Sequence, residues 1–316
     1  MEKKIMFVVN PKAGKKKGVV YKRKIEKMLE DLKGRALIEI TAEEGPNSLF
    51  SLGKRAVQES FDILVSVGGD GTHNLLVNGM MAEAEEQGLP LGSLPKLGLI
   101  GAGTGNNFTK NLGIQASLNR SLGIISKGRT RAVDIGLLTT GSRKQYFINV
   151  VSFGFDGLVV ATLKHIRGKH RLYRLLPKSL AYFLVAAYRI FLGLPSYRLI
   201  TSHSGLDMEQ EVHLLALLNG PTYGAIFRIA PNASLSDGLL DACLISRANR
   251  LKAVELLFRA IWGKHVGLSQ AGFFNFSSLK IASPDPLPCE IDGEVMPIEK
   301  EYQVSIIPGA LNVFVP

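Results

Sequence analysis

The segment Ser66–Gly79, "SVGGDGTHNLLVNG", sets a carboxylate, Asp70, among three glycines, Gly68, Gly69 and Gly71. Glycine lets backbone N–H groups approach a phosphate closely, and a helix that starts behind such a loop adds partial positive charge. An acid in an anion cradle makes sense if it holds a divalent cation against the phosphates or takes a proton from an attacking hydroxyl. Two further glycine loops occur, "NPKAG" from Asn10 and "GAGTGNNF" from Gly101. In the first, Asn10 can bond a base or a phosphate, and Lys12 or Lys15 can neutralise charge. Neither GxGxxG in dinucleotide register nor GxxxxGK[ST] is present. Further along, "DGLLD" places Asp237 and Asp241 four apart, which suits a bound divalent cation or a hairpin turn. "EIDGEVM" places Asp292 and Glu294 across Gly293. Residues two apart on a strand share a face, so both acids point into a cleft unless Asp-Gly makes a turn.

These groups need elements that carry them to one place. The first part of the chain alternates strand and helix patterns. "KIMFVVN" reads as a strand with a helix to about Lys33, and "ALIEITA" as a strand with a helix near Leu49–Glu59. "FDILVSV" leads through the Asp70 loop into a helix to about Glu86, and "KLGLI" leads into the Gly101 loop. Such βαβ logic implies a parallel sheet covered by helices, with ligands at the carboxyl ends of the strands. All three glycine loops sit at such ends, and Thr41 closes the second strand at the same edge. After "RAVDIGLL" (Arg131–Leu138) short strands recur, interrupted by helices at about Leu172–Leu192 and Arg250–Gly263. The expected fold is an α/β N-terminal domain over residues 1–135 and a mainly antiparallel β domain with helical insertions over 136–302.

Of 316 residues, 46% are hydrophobic, which is ample for two cores. Two distant cysteines and six scattered histidines argue against a disulfide framework and a zinc site. The net charge of +11 gathers in Lys12–Lys24 and Lys164–Lys178. Nucleotide phosphates, an anionic membrane or nucleic acid would suit such clusters, and without stacking aromatics nucleic acid ranks last. The apolar stretch Ser179–Tyr197 is shorter than the roughly 20 residues of a membrane span and contains Arg189, so it reads as a buried or interface-lying helix. The apolar run Ile5–Val9 is too short for a signal peptide. The expected location is therefore the cytoplasm, peripheral to the inner face of the membrane.

Several motifs in order, "NPKAG", "GGDGTHN", "GTGNNF", "VDIG", "FGFDG", "APNASLSDGLLD", "EIDGE" and "PGALNVFVP", make the chain resemble the bacterial soluble diacylglycerol kinases, relatives of sphingosine kinases. "GGDGT" alone is shared with NAD kinases. The resemblance implies an NAD-kinase-like nucleotide domain and a β-sandwich lipid domain, with the last strand (about 303–316) returning to the first domain. It implies ATP touching Asn10, Thr41, Gly68, Gly69, Asp70, Gly71, Thr72, His73, Asn74 and Thr104. It puts a proton acceptor at Glu294 and Mg²⁺ at Asp237 with Ser234 and Leu239, and the chemistry of the residues themselves adds Asp70 and Asp292 as further catalytic carboxylates. The implied activity is transfer of the ATP γ-phosphoryl group to a lipid hydroxyl, most simply that of a diacylglycerol-like lipid. The implied partners are a lipid substrate and an anionic membrane surface, with a homodimer left open. The family commonly has Glu at Leu75 and Asp at Asn107. The alternatives are an NAD kinase or a non-catalytic, membrane-associated nucleotide-binding protein.

Overall fold

The computed structural model describes residues 3–14, 17–30, 36–141, 143–170, 173, 176–203, 205–224 and 226–316. Lys15, Lys16, Arg171 and Arg174, members of the basic clusters, and Leu172, the expected start of a helix, lie outside the described residues. The chain divides into two compact units, Met1–Ile135 with Pro308–Pro316, and Gly136–Ile307.

The first unit begins with β1 (Ile5–Val9), α1 (Lys17–Glu30), β2 (Ala36–Ile40), α2 (Leu49–Gln58), β3 (Ile63–Gly68), α3 (Asp70–Gln87) and β4 (Lys96–Gly101). The strands lie in the order β2-β1-β3-β4, every pair parallel. Strands covered on both faces read as continuous apolar runs rather than alternating ones. "ILVSVG" of β3 is such a run, buried at every position. The core here joins Phe7, Val9, Val65, Val67 and Ile100 to Ile25 of α1. Two short helices follow, α4 (Asn107–Asn111) and α5 (Leu118–Lys127).

The second unit takes up β5 (Thr130–Thr140) from Gly136 onward, then β6 (Arg143–Phe147), β7 (Val150–Gly154), α6 (Phe155–Lys169), α7 (Lys178–Leu192), β8 (Tyr197–His203) and β9 (Leu206–Leu218). It continues with β10 (Leu240–Ser246), α8 (Arg250–Ile261), β11 (Ala271–Phe276), β12 (Ser278–Leu287), β13 (Cys289–Ile291), β14 (Glu294–Val295) and β15 (Glu299–Phe314). The pairs β14-β13-β7-β9-β8-β12-β15 are antiparallel throughout, and β10 joins β9 to β11. Phe147, Phe153, Leu215, Leu217, Ile281 and Val304 form its main core. The last strand ends beyond this unit, where Val313 pairs in parallel with Leu97 of β4.

The segment "QYFINVVSFG" is divided between β6 and β7. The Asp292 carboxylate sits at the division. It accepts N–H bonds from Ile148, Asn149 and Val150 at 2.8–3.2 Å, which draws those amides away from a strand partner. No described helix is long and apolar enough to cross a membrane.

Candidate functional site

In the first unit the glycine loops meet because glycine is the one residue that fits there. Gly14, at φ +59°, lies so close to the third loop that a β-carbon on it would stand 1.7 Å from the Ala102 carbonyl oxygen. A β-carbon on Gly103 would stand 2.6 Å from the Gly69 α-carbon. Polar bonds fix the same approach. The Gly68 carbonyl accepts from Ala102 N at 2.6 Å and Gly103 N at 3.2 Å, and Asn10 Nδ2 donates to Thr72 Oγ1 at 3.0 Å. Thr41 N donates to Val9 O at 3.2 Å, which holds Thr41 beside the Asn10 loop. Thus Asn10, Thr41, Gly68, Gly69, Asp70, Gly71 and Thr72 lie at one edge of the parallel sheet. Exposed Thr104 stands in the loop that packs on Gly69. α3 starts directly after β3; Thr72 N and His73 N donate to Gly69 O at 2.8 and 3.0 Å, so of its first turn the Asp70 and Gly71 N–H groups are the ones that suit an anion.

Asp70 itself is occupied. Its Oδ2 accepts from Asn107 N and its Oδ1 from Phe108 N, each at 3.0 Å. The carboxylate caps α4 and ties the second glycine loop to the third. Its position beside the phosphate cradle follows from this bridge, and a cation would have to share oxygens that already accept backbone bonds.

The His73 side chain is fully buried, with Nδ1 2.7 Å from Ser66 Oγ, so it packs under the loop. Asn74, 5% exposed, accepts through Oδ1 from Asn78 Nδ2 within α3. Burial lowers the His73 pKa to about 4, with the Asp70 charge pulling the other way. The unfolded chain would protonate this ring near its ordinary value of about 6.5. Stability from the neutral ring is therefore complete above that pH and is lost as pH falls toward about 4. In an NMR titration the His73 ring should stay neutral between pH 7 and 5, about two units below the ordinary midpoint. Half-protonation near 6.5 would contradict its buried placement.

Asp292 stands in a turn. Asp292 and Gly293, at φ +48° and +87°, form the turn between β13 and β14, and both positive φ values suit a two-residue hairpin. With three backbone donors on its carboxylate, Asp292 is a turn residue and not a free base. Glu294, just past the turn, is different. It is exposed and pairs with Lys164 Nζ at 3.0 Å.

Asp237 Oδ1 accepts from Leu239 N at 3.1 Å, and Ser234 Oγ from Ser236 N at 3.3 Å, so this loop does contain the expected turn. Asp241 is pushed up to about 6 by burial and by the Asp237 charge. Two carboxylates that repel each other, with no ion pair among the described residues, form a donor set that fits a divalent cation. No cluster of three or more His, Cys, Asp or Glu side chains occurs among the described residues, so backbone oxygens would have to complete the shell. If Mg²⁺ binds here, adding it should raise the melting temperature of the wild type far more than that of Asp237→Ala. An ion at a hundredfold its dissociation constant adds about 2.7 kcal/mol. Equal responses of the two proteins would leave Asp237 a turn residue only.

Sequence reasoning missed a buried polar cluster in the second unit. Ser152 Oγ lies 2.6 Å from Asp156 Oδ2 and 2.9 Å from Glu290 Oε1. Tyr182 OH donates to Asp156 Oδ1, and Gly293 N to Glu290 Oε2 at 2.7 Å. Asp156 lies inside the "FGFDG" motif and Glu290 opens the "EIDGE" motif, but nothing in either motif says that the two acids meet.

A phosphate cradle at the carboxyl edge of a parallel sheet, followed by an antiparallel β unit, defines the class of two-domain kinases that bind a nucleotide on an NAD-kinase-like fold. The model of the diacylglycerol kinase catalytic domain matches residues 4–138, and that of the YegS C-terminal NAD kinase beta sandwich-like domain matches 149–315. The chain belongs to the diacylglycerol kinase family and is a lipid kinase. It is 26% identical over 303 residues to a diacylglycerol kinase of Bacillus subtilis, covering 92% of this chain and 90% of that one. To a diacylglycerol kinase of Staphylococcus carnosus it is 24% identical over 298 residues, covering 93% and 89%. A crystal structure of a diacylglycerol kinase from Bacillus anthracis superposes with a TM-score of 0.71 at 19% identity, covering 99% and 97% of the chains, which shows the shared fold.

Proposed function

We propose that this protein transfers the γ-phosphoryl group of ATP to the hydroxyl of a diacylglycerol-like lipid at an anionic membrane surface. The observation that carries the reading is the meeting of three glycine loops at one sheet edge in a chain of this family. In phosphoryl transfer the protein mainly positions and neutralises. The backbone N–H groups at the start of α3, those of Asp70 and Gly71, hold phosphate oxygens beside Gly68, Gly69 and Thr72, and Asn10, Thr41 and Thr104 flank the nucleotide. Asp70 holds the second and third loops in register. Glu294 accepts the proton of the attacking hydroxyl. Asp237, with Ser234 and Leu239, would hold Mg²⁺, which when bound adds positive charge that steadies this loop. Incubating the protein with labelled ATP and a total lipid extract tests the reading. A labelled lipid is expected, and label that stays in ATP and inorganic phosphate would overturn it.

Docking to the membrane is supported by α7 and α8. α7 buries Ala181, Val185, Ala186 and Ile190, yet exposes Leu180, Leu184, Tyr188, Phe191 and Leu192 at helical spacing on its other side. A helix apolar all round belongs in a core or against lipid. α8 exposes Leu251 and Phe258 at the same kind of spacing, followed by Trp262, and Phe183 and Phe258 meet edge to face with ring centroids 5.0 Å apart. Arg247, Arg250 and Lys264 add positive charge near the stripe. Each basic residue near an anionic surface contributes about 1 kcal/mol, a term that salt screens. Binding to anionic vesicles should weaken as salt rises, and Trp262→Ala should weaken it further without lowering the melting temperature. Equal binding to neutral and anionic vesicles at low salt would contradict the electrostatic part.

A further inference from the structure

Ser152, Asp156 and Glu290 meet because of strand register. β13 pairs with β7 so that Glu290 stands opposite Ser152, and Asp156 follows four residues later in the first turn of α6. Opposite residues on paired strands project to the same face. All three side chains are buried, and the Ser152 hydroxyl reaches both carboxyls. Glu290 also has a second contact. Its Oε2 accepts from Gly293 N, inside the two-residue turn between β13 and β14. Gly293 directly precedes Glu294, so a buried acid grips the turn beside the exposed one.

The protonation of this grip follows from counting hydrogens. The Ser152 hydroxyl has one proton and can donate to only one of the two carboxyls within its reach. The other must donate to Ser152, so Asp156 and Glu290 together hold one proton and one negative charge. Burial, then the Asp156 charge, holds Glu290 well above the ordinary carboxylate range, and the Asp292 charge acts the same way. Burial raises Asp156 too, but hydrogen bonds from Ser152, Tyr182 and Tyr223 pull it back, and the start of α6 favours negative charge there. The charge therefore sits on Asp156 and the proton on Glu290. Tyr182, Tyr223 and the Cys289 thiol, which also face the pair, are pushed well up by burial and stay neutral.

We infer that Glu290 is a positioning residue for Glu294: through the Gly293 N–H, and with the proton it shares with Asp156 across Ser152, it sets where the Glu294 carboxylate stands. The inference rests on the reading of Glu294 as proton acceptor. It also gives the enzyme an alkaline limit. Without the proton, Glu290 becomes a second buried charge beside Asp156, and Ser152 can serve only one of them. Glu290 then withdraws, and the turn either follows it or loses its bond. The unfolded chain gives up the same proton near the ordinary carboxylate values of about 4. The stability that the shared proton lends is therefore complete below that pH and is lost as pH rises through the raised folded value.

The test compares wild type, Glu290→Ala and Glu290→Gln in two measurements across neutral and alkaline pH: kcat for lipid phosphorylation, and the NMR shift of the Gly293 amide. Glu290→Ala removes the acceptor of Gly293 N, and kcat should fall by about 10²-fold with ATP affinity unchanged. Glutamine reproduces the protonated acid, its NH₂ donating to Ser152 and its carbonyl accepting from Gly293, so Glu290→Gln should recover most of that loss. In wild type the Gly293 amide should shift on the alkaline side together with the fall in kcat, and in Glu290→Gln neither should occur there. Lys164, the titratable partner of Glu294, is present in both proteins, so the difference between their profiles belongs to the buried pair. A Glu290→Gln protein as slow as Glu290→Ala, or one that keeps the wild-type alkaline fall, would overturn the proposal. If Glu290→Ala does not fold, the wild-type amide titration and its loss in Glu290→Gln decide, and a Gly293 amide that never moves overturns it. A titrating amide in a protein that transfers no phosphate to lipid would sink the kinase reading and keep the Glu290 grip. Lipid phosphorylation with an unmoved amide would do the reverse.

Discussion

Asp70→Asn is expected to lower lipid phosphorylation by about 10²-fold or more, because a displacement of about 1 Å at a positioning group can cost that much. The two carboxylate oxygens each accept a backbone N–H, from Asn107 and Phe108. Asparagine keeps one acceptor and turns an NH₂ toward the other amide, so two donors face each other. Losing a hydrogen bond to a charged group costs about 1.5–3 kcal/mol, and the buried amide left over adds to that. The third loop then moves away from the second, and the Gly69–Gly103 approach opens. Stability should fall together with activity. ATP binding should weaken by a similar factor with and without Mg²⁺, since the defect is in the shape of the cradle. A loss confined to Mg²⁺-containing solutions would instead make Asp70 a metal ligand. Normal turnover would mean that the bridge to α4 is dispensable.

Glu294→Gln carries the other large effect. The side chain is exposed, so the substitution should leave folding intact, and its one described partner is Lys164, also exposed. An exposed ion pair is worth little to stability, about 0–1 kcal/mol. If Glu294 takes the hydroxyl proton, the amide cannot replace it, and removing a general base costs about 10²–10⁴-fold in rate. The expected pattern is a fall in kcat with unchanged ATP affinity and unchanged melting temperature. Lys164→Ala should alter kcat only modestly, because it removes a neighbour and not the acceptor. A Glu294→Gln enzyme with normal kcat would remove Glu294 from the proton path. Asp292 could not take over, because its carboxylate is held by three backbone donors in the β13–β14 turn.

The first unit was legible because its signals are local. A buried parallel strand reads as an unbroken apolar run, and "ILVSV" followed by glycine announces both the strand and the loop at its end. What the loop's residues do was less legible. His73 stands in the same motif as Thr72, but the helical turn sends it inward to Ser66, and a motif does not say which way a helix faces. Asp-Gly at 292–293 permitted either a shared strand face or a turn, and two positive φ values decided for the turn. The Asp156–Glu290 pair was out of reach because its members are brought together by the pairing of β7 with β13, across more than a hundred residues of sequence. The exposed apolar side of α7 was hidden for the opposite reason. A helix apolar on every face carries no pattern to show which side is buried.

The central claim is that the phosphate goes from ATP to a lipid alcohol. The most direct measurement gives one preparation of the purified protein labelled ATP and Mg²⁺, with diacylglycerol in anionic vesicles in one reaction and NAD in another. The account predicts labelled phosphatidic acid in the first and no labelled NADP in the second. Labelled NADP, or ATP bound in both reactions with label transferred in neither, would contradict it.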